Sequence, residues 1–282
     1  MERRGGLFTD FSFRRVRFHF TALGLLPFRS GTAANTIRGA FGRALHDTAS
    51  PDDYARLFKP RSAEGPSGLA DLPRPFVLRC SHLEGLAFRP GSPFHLDVHF
   101  FDLTDSSVSC FESAFAAWQK LGIGPSRATV RLDRVEASAP CNLSLEPDME
   151  SVERIAIRFV TPTEVKSDGA VASRPEFPIL FARIRDRIAT LRAIYGGGPL
   201  EVDFVAIGER ASGVRLTRCE IQWEWRERRS GSSGQVHPLG GFTGEVEYAG
   251  PLTEFLPWLR AAQFTGVGRQ TVWGKGELQV VS

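Results

Sequence analysis

The stretch TGVGRQTVWGKG, from Thr265 to Gly276 of a 282-residue chain, sets four glycines and two cations within twelve residues. Glycine lets backbone amides come close to an anion, and arginine adds charge-assisted hydrogen bonds, so the chemistry in view is phosphate binding. The common nucleotide cradles do not fit. A Rossmann fingerprint needs a strand before its glycines and a helix after them; here the order is reversed, and no glycine stands three residues past Gly268. A P-loop needs Ser or Thr after its lysine, and Lys275 is followed by Gly276. A nucleotide-binding enzyme is thereby disfavoured. Gly266, Gly268, Arg269 and Lys275 are the loop's candidate phosphate contacts, and the plainer alternative is a turn with a bulge. A second pattern is FHLDVHFFDL, where His95, Asp97 and His99 alternate and share one strand face. That spacing can begin a metal site. More often it is the solvated face of a strand whose Phe94, Leu96, Val98 and Phe100 are core, and no metal is expected.

The elements that must carry these residues follow one order twice. FSFRRVRFHFTA alternates as a strand, and TAANTIRGAFGRALHD places Ile37, Phe41, Ala44, Leu45 and Thr48 on one helix face. Lys59 to Pro75 reads as loop. PFVLRC and FHLDVHFFDL read as strands, CFESAFAAWQKL as a helix, and ATVRLDRVEA as a closing strand. The second half repeats this: strand SVERIAIRFVT, helix FPILFARIRDRIATLRAIYG, strands GVRLTRCEIQWEWRE and GFTGEVEYAG, helix PLTEFLPWLRAAQF and strand GKGELQVV. Both halves are β-α-β-β-α-β, the ferredoxin-like pattern. WQKLGIGPSRATVRL and LRAAQFTGVGRQTVW each place G-x-G and then a cation after the second helix, the mark of a duplication. The expected fold is α+β, two tandem ferredoxin-like (RRM-like) domains over residues 1–145 and 146–282.

Bulk composition narrows the setting. Net charge is only +3, but four of the 35 cations are lysine and the rest arginine. Arginine's planar fork suits phosphate and base contacts, although a GC-rich genome gives the same bias. Cys80, Cys110, Cys141 and Cys219 form no CxxC pair, which fits reduced thiols and argues against a zinc site. The N-terminus lacks the apolar core of a signal peptide, and the longest apolar stretch, Phe20 to Phe28, is half a membrane span. A cytoplasmic protein with no membrane contact is expected.

At this point the motifs resemble a known family. TGVGRQTVWGKGE has the G-x-G-x5-G-x-G form of the C-terminal loop of repeat-associated RNA-binding proteins from CRISPR systems. IRGAFGRALH is similar to their N-terminal helix, while RFVTPTEVKSDG, FARIRDRIATLRAIYG, HPLGGFTGEVEY and FLPWLRAAQFTGVGRQTVWGKGE look like their C-terminal domain. The resemblance is closest to the Cas6 endoribonucleases that process CRISPR precursor RNA. It covers most of the chain and is strongest from about residue 150 onward.

The resemblance implies a metal-independent endoribonuclease with no cofactor. In such enzymes an RNA 2′-hydroxyl attacks the adjacent phosphate, leaving a 2′,3′-cyclic phosphate and a 5′-hydroxyl. A histidine suits the proton transfers because its ordinary pKa is about 6.5. Among six histidines His46 is the first candidate: it faces out of the core on the first helix, sharing a stripe with Asn35, Gly39 and Gly42, flanked by Arg38 and Arg43. His237, beyond the arginine-bearing loop RERRSGSSGQVH, is the competitor. The family's frequent tyrosine and lysine partners are not evident, since Tyr54 stands eight residues past His46 and Lys59 further still. Expected RNA contacts are Arg38, Arg43, Lys166, Arg226, Arg228, Arg229, Gly266, Gly268, Arg269 and Lys275. The expected partners are CRISPR repeat RNA and other Cas proteins, with the chain a monomer or homodimer. The alternative function is a non-catalytic subunit that binds guide RNA within an effector complex.

Overall fold

A computed structural model describes residues 10–60, 72–147, 149–167, 169–224, 227–229, 236–238 and 240–281. The first half runs β1 (Asp10–Ala22), α1 (Ala33–Thr48), α2 (Pro51–Phe58), β2 (Phe76–Arg79), β3 (Pro93–Phe100), α3 (Asp105–Ala116), β4 (Val130–Ala137) and β5 (Cys141–Ser144). The second runs β6 (Arg154–Thr163), α4 (Phe177–Tyr195), α5 (Phe204–Ala211), β7 (Arg215–Glu224), β8 (Glu227–Arg229), β9 (Val236–Pro238), β10 (Gly241–Ala249), α6 (Leu256–Thr265) and β11 (Leu278–Val281). The strand orders are β2-β3-β1-β4 and β7-β10-β6-β11, antiparallel throughout. These are two ferredoxin-like sheets of the same order, as the doubled sequence pattern predicts.

The sheets form where hydrophobic alternation gives each one an inner face. Val16, Phe18, Phe20 and Ala22 of β1 are buried on one face. They meet the aromatic side of α3, where Phe115 stands edge-on to Phe18 at 4.7 Å and Phe41 of α1 lies 4.1 Å from Phe111. In the second half Ile155, Ile157 and Phe159 of β6 turn inward against Leu180, Phe181, Ile184 and Ile188 of α4.

The opposite face of β1 does something the alternation alone does not show. Phe11 and Phe13 are on the same face as Arg17 and His19, yet both are buried, because the second half covers that end of the strand. Phe13 stacks on Phe264 of α6 at 4.4 Å. Strand β5 pairs with this end of β1, Phe11 opposite Leu143, so one long strand serves both a sheet and the contact between halves.

Two helices escaped the periodicity reading, α2 and α5. Each is eight residues long and each opens on a side-chain cap: Ser50 Oγ accepts from Asp53 N at 3.1 Å, and Asp203 accepts from the amides of Val205 and Ala206. Ser50-Pro51 is a cap followed by proline at the first helical position, a start signal readable in sequence.

Two glycines make a paired test of backbone constraint. Gly276 has φ +67, and a Cβ there would lie 1.9 Å from the Val267 carbonyl oxygen, whereas at Gly39 on α1 nothing lies within 4 Å. Gly276→Ala is expected to cost at least about 2 kcal/mol of unfolding free energy. Gly39→Ala is expected to add up to about 1 kcal/mol through helix propensity. Chemical denaturation of the two variants reads both; equal midpoints would contradict the loop geometry.

Candidate functional site

The turn between α1 and α2 folds the chain back so that residues distant in sequence meet. His46 sits in the last turn of α1 with its side chain 70% exposed, and its Nδ1 lies 3.2 Å from Asp47 Oδ1. The capped start of α2 brings the Tyr54 ring edge-on to the His46 ring, centroids 5.3 Å apart. Lys59, just past α2, places its ammonium 5.6 Å from the Tyr54 ring centre. The histidine, tyrosine and lysine that looked scattered in sequence are therefore neighbours at one exposed corner.

Packing holds this corner in place. Gly42 of α1 is filled from outside by Phe58, whose ring leaves no room for a Cβ. So Gly42 is a seat for α2, and of the expected glycine floor beside His46 only Gly39 stays open. Phe58 also stacks on Tyr54 at 5.5 Å. The Arg38 guanidinium lies over Phe58 at 5.2 Å and over Trp273 of the glycine-rich loop at 4.4 Å. Arg38 thus ties the loop to α1, eight residues, or about 12 Å of helix, before His46. Arg43 on α1 is exposed.

The glycine-rich loop is built by close backbone approach. A Cβ on Gly268 would meet the Glu164 carbonyl oxygen at 2.2 Å, and one on Gly274 would meet the Ala34 side chain at 2.3 Å. Its amides are largely spent within the fold: Val267 N donates to Gly276 O, Arg269 N to Glu164 O, and Gly276 N to Pro162 O. What the loop offers a phosphate is consequently side-chain charge more than a nest of free amides. Arg269 is half-exposed and its Nη1 bonds the buried Glu164 carboxylate at 2.6 Å. Lys275 is only 6% exposed and donates from Nζ to Gly240 O at 3.1 Å, so it points inward.

The loop divides two clefts. Trp273, Gly274 and Lys275 line one of about 400 Å³, bounded by Asn35 of α1, His82 and Glu224. Gly268, Arg269 and Gln270 line another of about 1060 Å³, together with Lys166, Arg183 and Arg187. Lys166 is exposed there. The structure thus gathers Lys166, Gly268 and Arg269 at one cleft and sets Arg38 and Lys275 on the other side of the loop.

Of the remaining candidates, Gly266 directly follows α6, and Arg228, Arg229 and His237 lie on the hairpin of β8 and β9, where Arg228 stands opposite His237 and Arg229 opposite Val236. Arg228 and Arg229 are in a strand where the sequence suggested loop. Arg226 is outside the described residues. The alternating trio of β3 separates into different duties. Asp97 takes a bidentate pair from Arg17 at 2.7 and 2.8 Å, His95 stacks on His82 at 4.4 Å, and His99 is buried between the halves. Among the described residues no group of three or more His, Cys, Asp or Glu is arranged to hold a metal. No described helix is long and apolar enough to cross a membrane.

The loop's starting point is fixed by the end of α6. Its last carbonyls have no partner within the helix, and three side chains supply them. Arg79 of β2 donates from Nη2 to Gln263 O at 2.7 Å, His99 of β3 donates from Nδ1 to Phe264 O at 3.0 Å, and Arg187 of α4 donates from Nε to Thr265 O at 2.9 Å. Burial and the neighbouring Arg79 charge push the His99 pKa down to about 3, so its ring is neutral at ordinary pH. Burial, with Arg79 again nearby, also lowers Arg187 to about 9.

Comparison with known proteins agrees with this architecture. Residues 157–278 match the family model of the CRISPR-associated endoribonuclease Cas6, and residues 11–152 match the N-terminal domain model AF_1859_N. A Thermus thermophilus Cas6 structure shares the fold at TM-score 0.56 and 19% identity, covering 98% of this chain and 100% of that one. A Cas6 product complex does so at TM-score 0.59 and 21% identity, over 95% of this chain and 100% of that one. In a Cas6-RT-Cas1–Cas2 complex the TM-score is 0.62 at 11% identity, over 97% of this chain but 29% of that one. No curated protein matches the sequence significantly. The tandem ferredoxin-like halves with a C-terminal glycine-rich loop thus share their fold with solved Cas6 structures over nearly the whole chain. The match of residues 157–278 to the Cas6 model, together with that shared fold, supports a Cas6-type protein.

Neutral His99 makes stability pH-dependent. In the unfolded chain its imidazole takes a proton below about pH 6.5, while in the fold it does so only near 3. The unfolded state therefore binds more protons in between, and stability falls as pH falls through that window, by up to about 1.4 kcal/mol per pH unit. His99→Gln, which keeps a donor for Phe264 O, is expected to remove that share of the slope between pH 6 and 4 in urea titrations. Parallel slopes for the two proteins would show that His99 is not the group responsible.

Proposed function

We propose that the chain cleaves CRISPR repeat RNA without a metal ion, with His46 transferring protons. The RNA 2′-hydroxyl loses its proton as its oxygen bonds to the adjacent phosphorus. The bond from phosphorus to the 5′-oxygen breaks, and that oxygen takes a proton, leaving a 2′,3′-cyclic phosphate and a 5′-hydroxyl. The observation that carries this reading is the exposed meeting of His46, Tyr54 and Lys59 at the α1–α2 corner. With Nδ1 turned to Asp47, the Nε2 edge of His46 is left for substrate. Lys59 can offset charge on the phosphorane, and Tyr54 holds the histidine ring edge-on between them. His237 is the second candidate for proton transfer. The Cas6 structures solved as product complexes support RNA as the substrate class.

In an assay with the repeat RNA encoded beside the gene, cleavage is expected to continue in EDTA and to stop when the cut nucleotide is 2′-deoxy. His46→Ala is expected to slow the chemical step about 10²- to 10⁴-fold with much smaller change in RNA affinity. Cleavage of the deoxy substrate would overturn the mechanism. Tight, salt-sensitive binding without product, indifferent to His46→Ala and His237→Ala, would establish instead a binding subunit of an RNA-guided complex.

A further inference from the structure

The larger cleft, of about 1060 Å³, lies on the far side of the glycine-rich loop from the α1 helix, and its lining is of two kinds. One part is cationic. Arg187 is half-buried there, and among the described residues it has no ion-pair partner and its enclosed Nη2 has no hydrogen-bond partner. A partly desolvated guanidinium without a counter-charge is costly, and an anion bound in the cleft lowers the cost. Lys166 adds a second, exposed charge with no salt-bridge partner among the described residues, and Arg269 a third, already held by Glu164. Asp186, the other carboxylate at this cleft, is taken by Arg183 and Arg185.

The cleft also has an apolar part, and it contains a side chain the fold does not explain. Phe204 is 37% exposed at the start of α5, next to Val205, which is 71% exposed outside the cleft. The Phe204 ring lies at the cleft, beside Leu200, with the Arg185 guanidinium 5.1 Å from its centre and Arg185 Nη1 donating to the Phe204 carbonyl at 2.7 Å. Arg185 thus fixes the ring's position. A fixed exposed aromatic in the same cleft as several cations is the arrangement that grips single-stranded nucleic acid, base on the ring and phosphate on the cations. Cleft volume sits at the upper end of the range that encloses a small organic ligand, enough for a nucleotide and part of its neighbour.

We infer that this cleft binds an unpaired stretch of RNA, with a base stacked on Phe204 and a backbone phosphate between Arg187 and Lys166. The inference rests on the RNA reading above, and it adds a grip separate from the His46 corner. It gives Arg187 a second duty: Nε anchors the end of α6, while the part of the side chain that lines the cleft meets the strand.

The test uses a short oligouridine carrying one 4-thiouridine, bound to the full chain and irradiated, with affinities measured by fluorescence anisotropy at several salt concentrations. The photo-crosslink is expected in the peptide that contains Phe204. Phe204→Ala is expected to weaken binding about tenfold. Lys166→Ala is expected to lower the slope of log affinity against log salt by about 0.7. Thermal unfolding should be unchanged in both, since both side chains are exposed, and Arg187→Lys should weaken binding while keeping a cation. If wild type binds the oligomer but Phe204→Ala binds it equally, with crosslinks elsewhere, the cleft assignment falls and the RNA reading stands. If wild type cleaves repeat RNA yet does not bind the oligomer, the assignment likewise falls. Failure of wild type to bind or cleave any RNA would remove both.

Discussion

The end of helix α6 is the point on which the rest of the molecule depends. A helix terminus carries unsatisfied carbonyls and the negative end of the helix dipole, so it wants cations and donors. Here Arg79, His99 and Arg187 provide them from three separate elements, two of which belong to the first sheet. The halves are joined by polar contacts aimed at one helix end, set beside the stacking of Phe13 on Phe264. Gathering desolvated cations around so few carbonyls is electrostatically expensive: burial lowers the basicity of Arg79, His99 and Arg187, and the Arg79 charge lowers His99 and Arg187 further, while Glu277 partly offsets the fall at Arg79. The return is positional: the residue after this terminus is Gly266, and the glycine-rich loop starts from a fixed place and direction.

From there the loop is a spacer whose glycines are needed for contact. Gly268 presses against the Glu164 carbonyl, Gly274 against Ala34, and Gly276 against Val267. The loop therefore touches β6, α1 and itself at once, and Arg38 on Trp273 completes the hold on α1. A rigid loop between two clefts can register a strand that passes on either side of it. Its charged members are correspondingly divided, with Arg269 set into the larger cleft and Lys275 turned into the smaller one.

Much of the fold was legible in sequence because it rests on alternation. The inward residues of β1 and β6 and the repeat of helix–GxG–strand endings suffice to suggest two sheets of one plan. What was hidden depends on tertiary neighbours. Phe11 and Phe13 share a face with Arg17 and His19, and only the docking of α6 distinguishes covered from open along one strand. Likewise the polar trio His95, Asp97 and His99 looks uniform by spacing, yet it divides into a stacked ring, an ion-paired carboxylate and an interface donor. At the candidate site His46 could be picked out from helix geometry, but its neighbours could not. Short helices have weak periodicity, and α2 announces itself only through the Ser50-Pro51 start.

That hidden helix builds the corner proposed for proton transfer. Without α2, Tyr54 and Lys59 would be residues of an unstructured connection, and His46 a lone side chain at a helix end. With it, Phe58 drops into the notch left by Gly42, and the same ring supports Tyr54 from below and Arg38 from the side. One buried aromatic thus couples the histidine corner to the cation that holds the glycine-rich loop. A bulkier residue at position 42 would lift α2 away, disturbing His46's neighbours and Arg38's seat in a single step. The spatial relation between the His46 corner and the loop is therefore a packing property, set by a missing side chain on α1 and by Phe58 and Arg38 between the two.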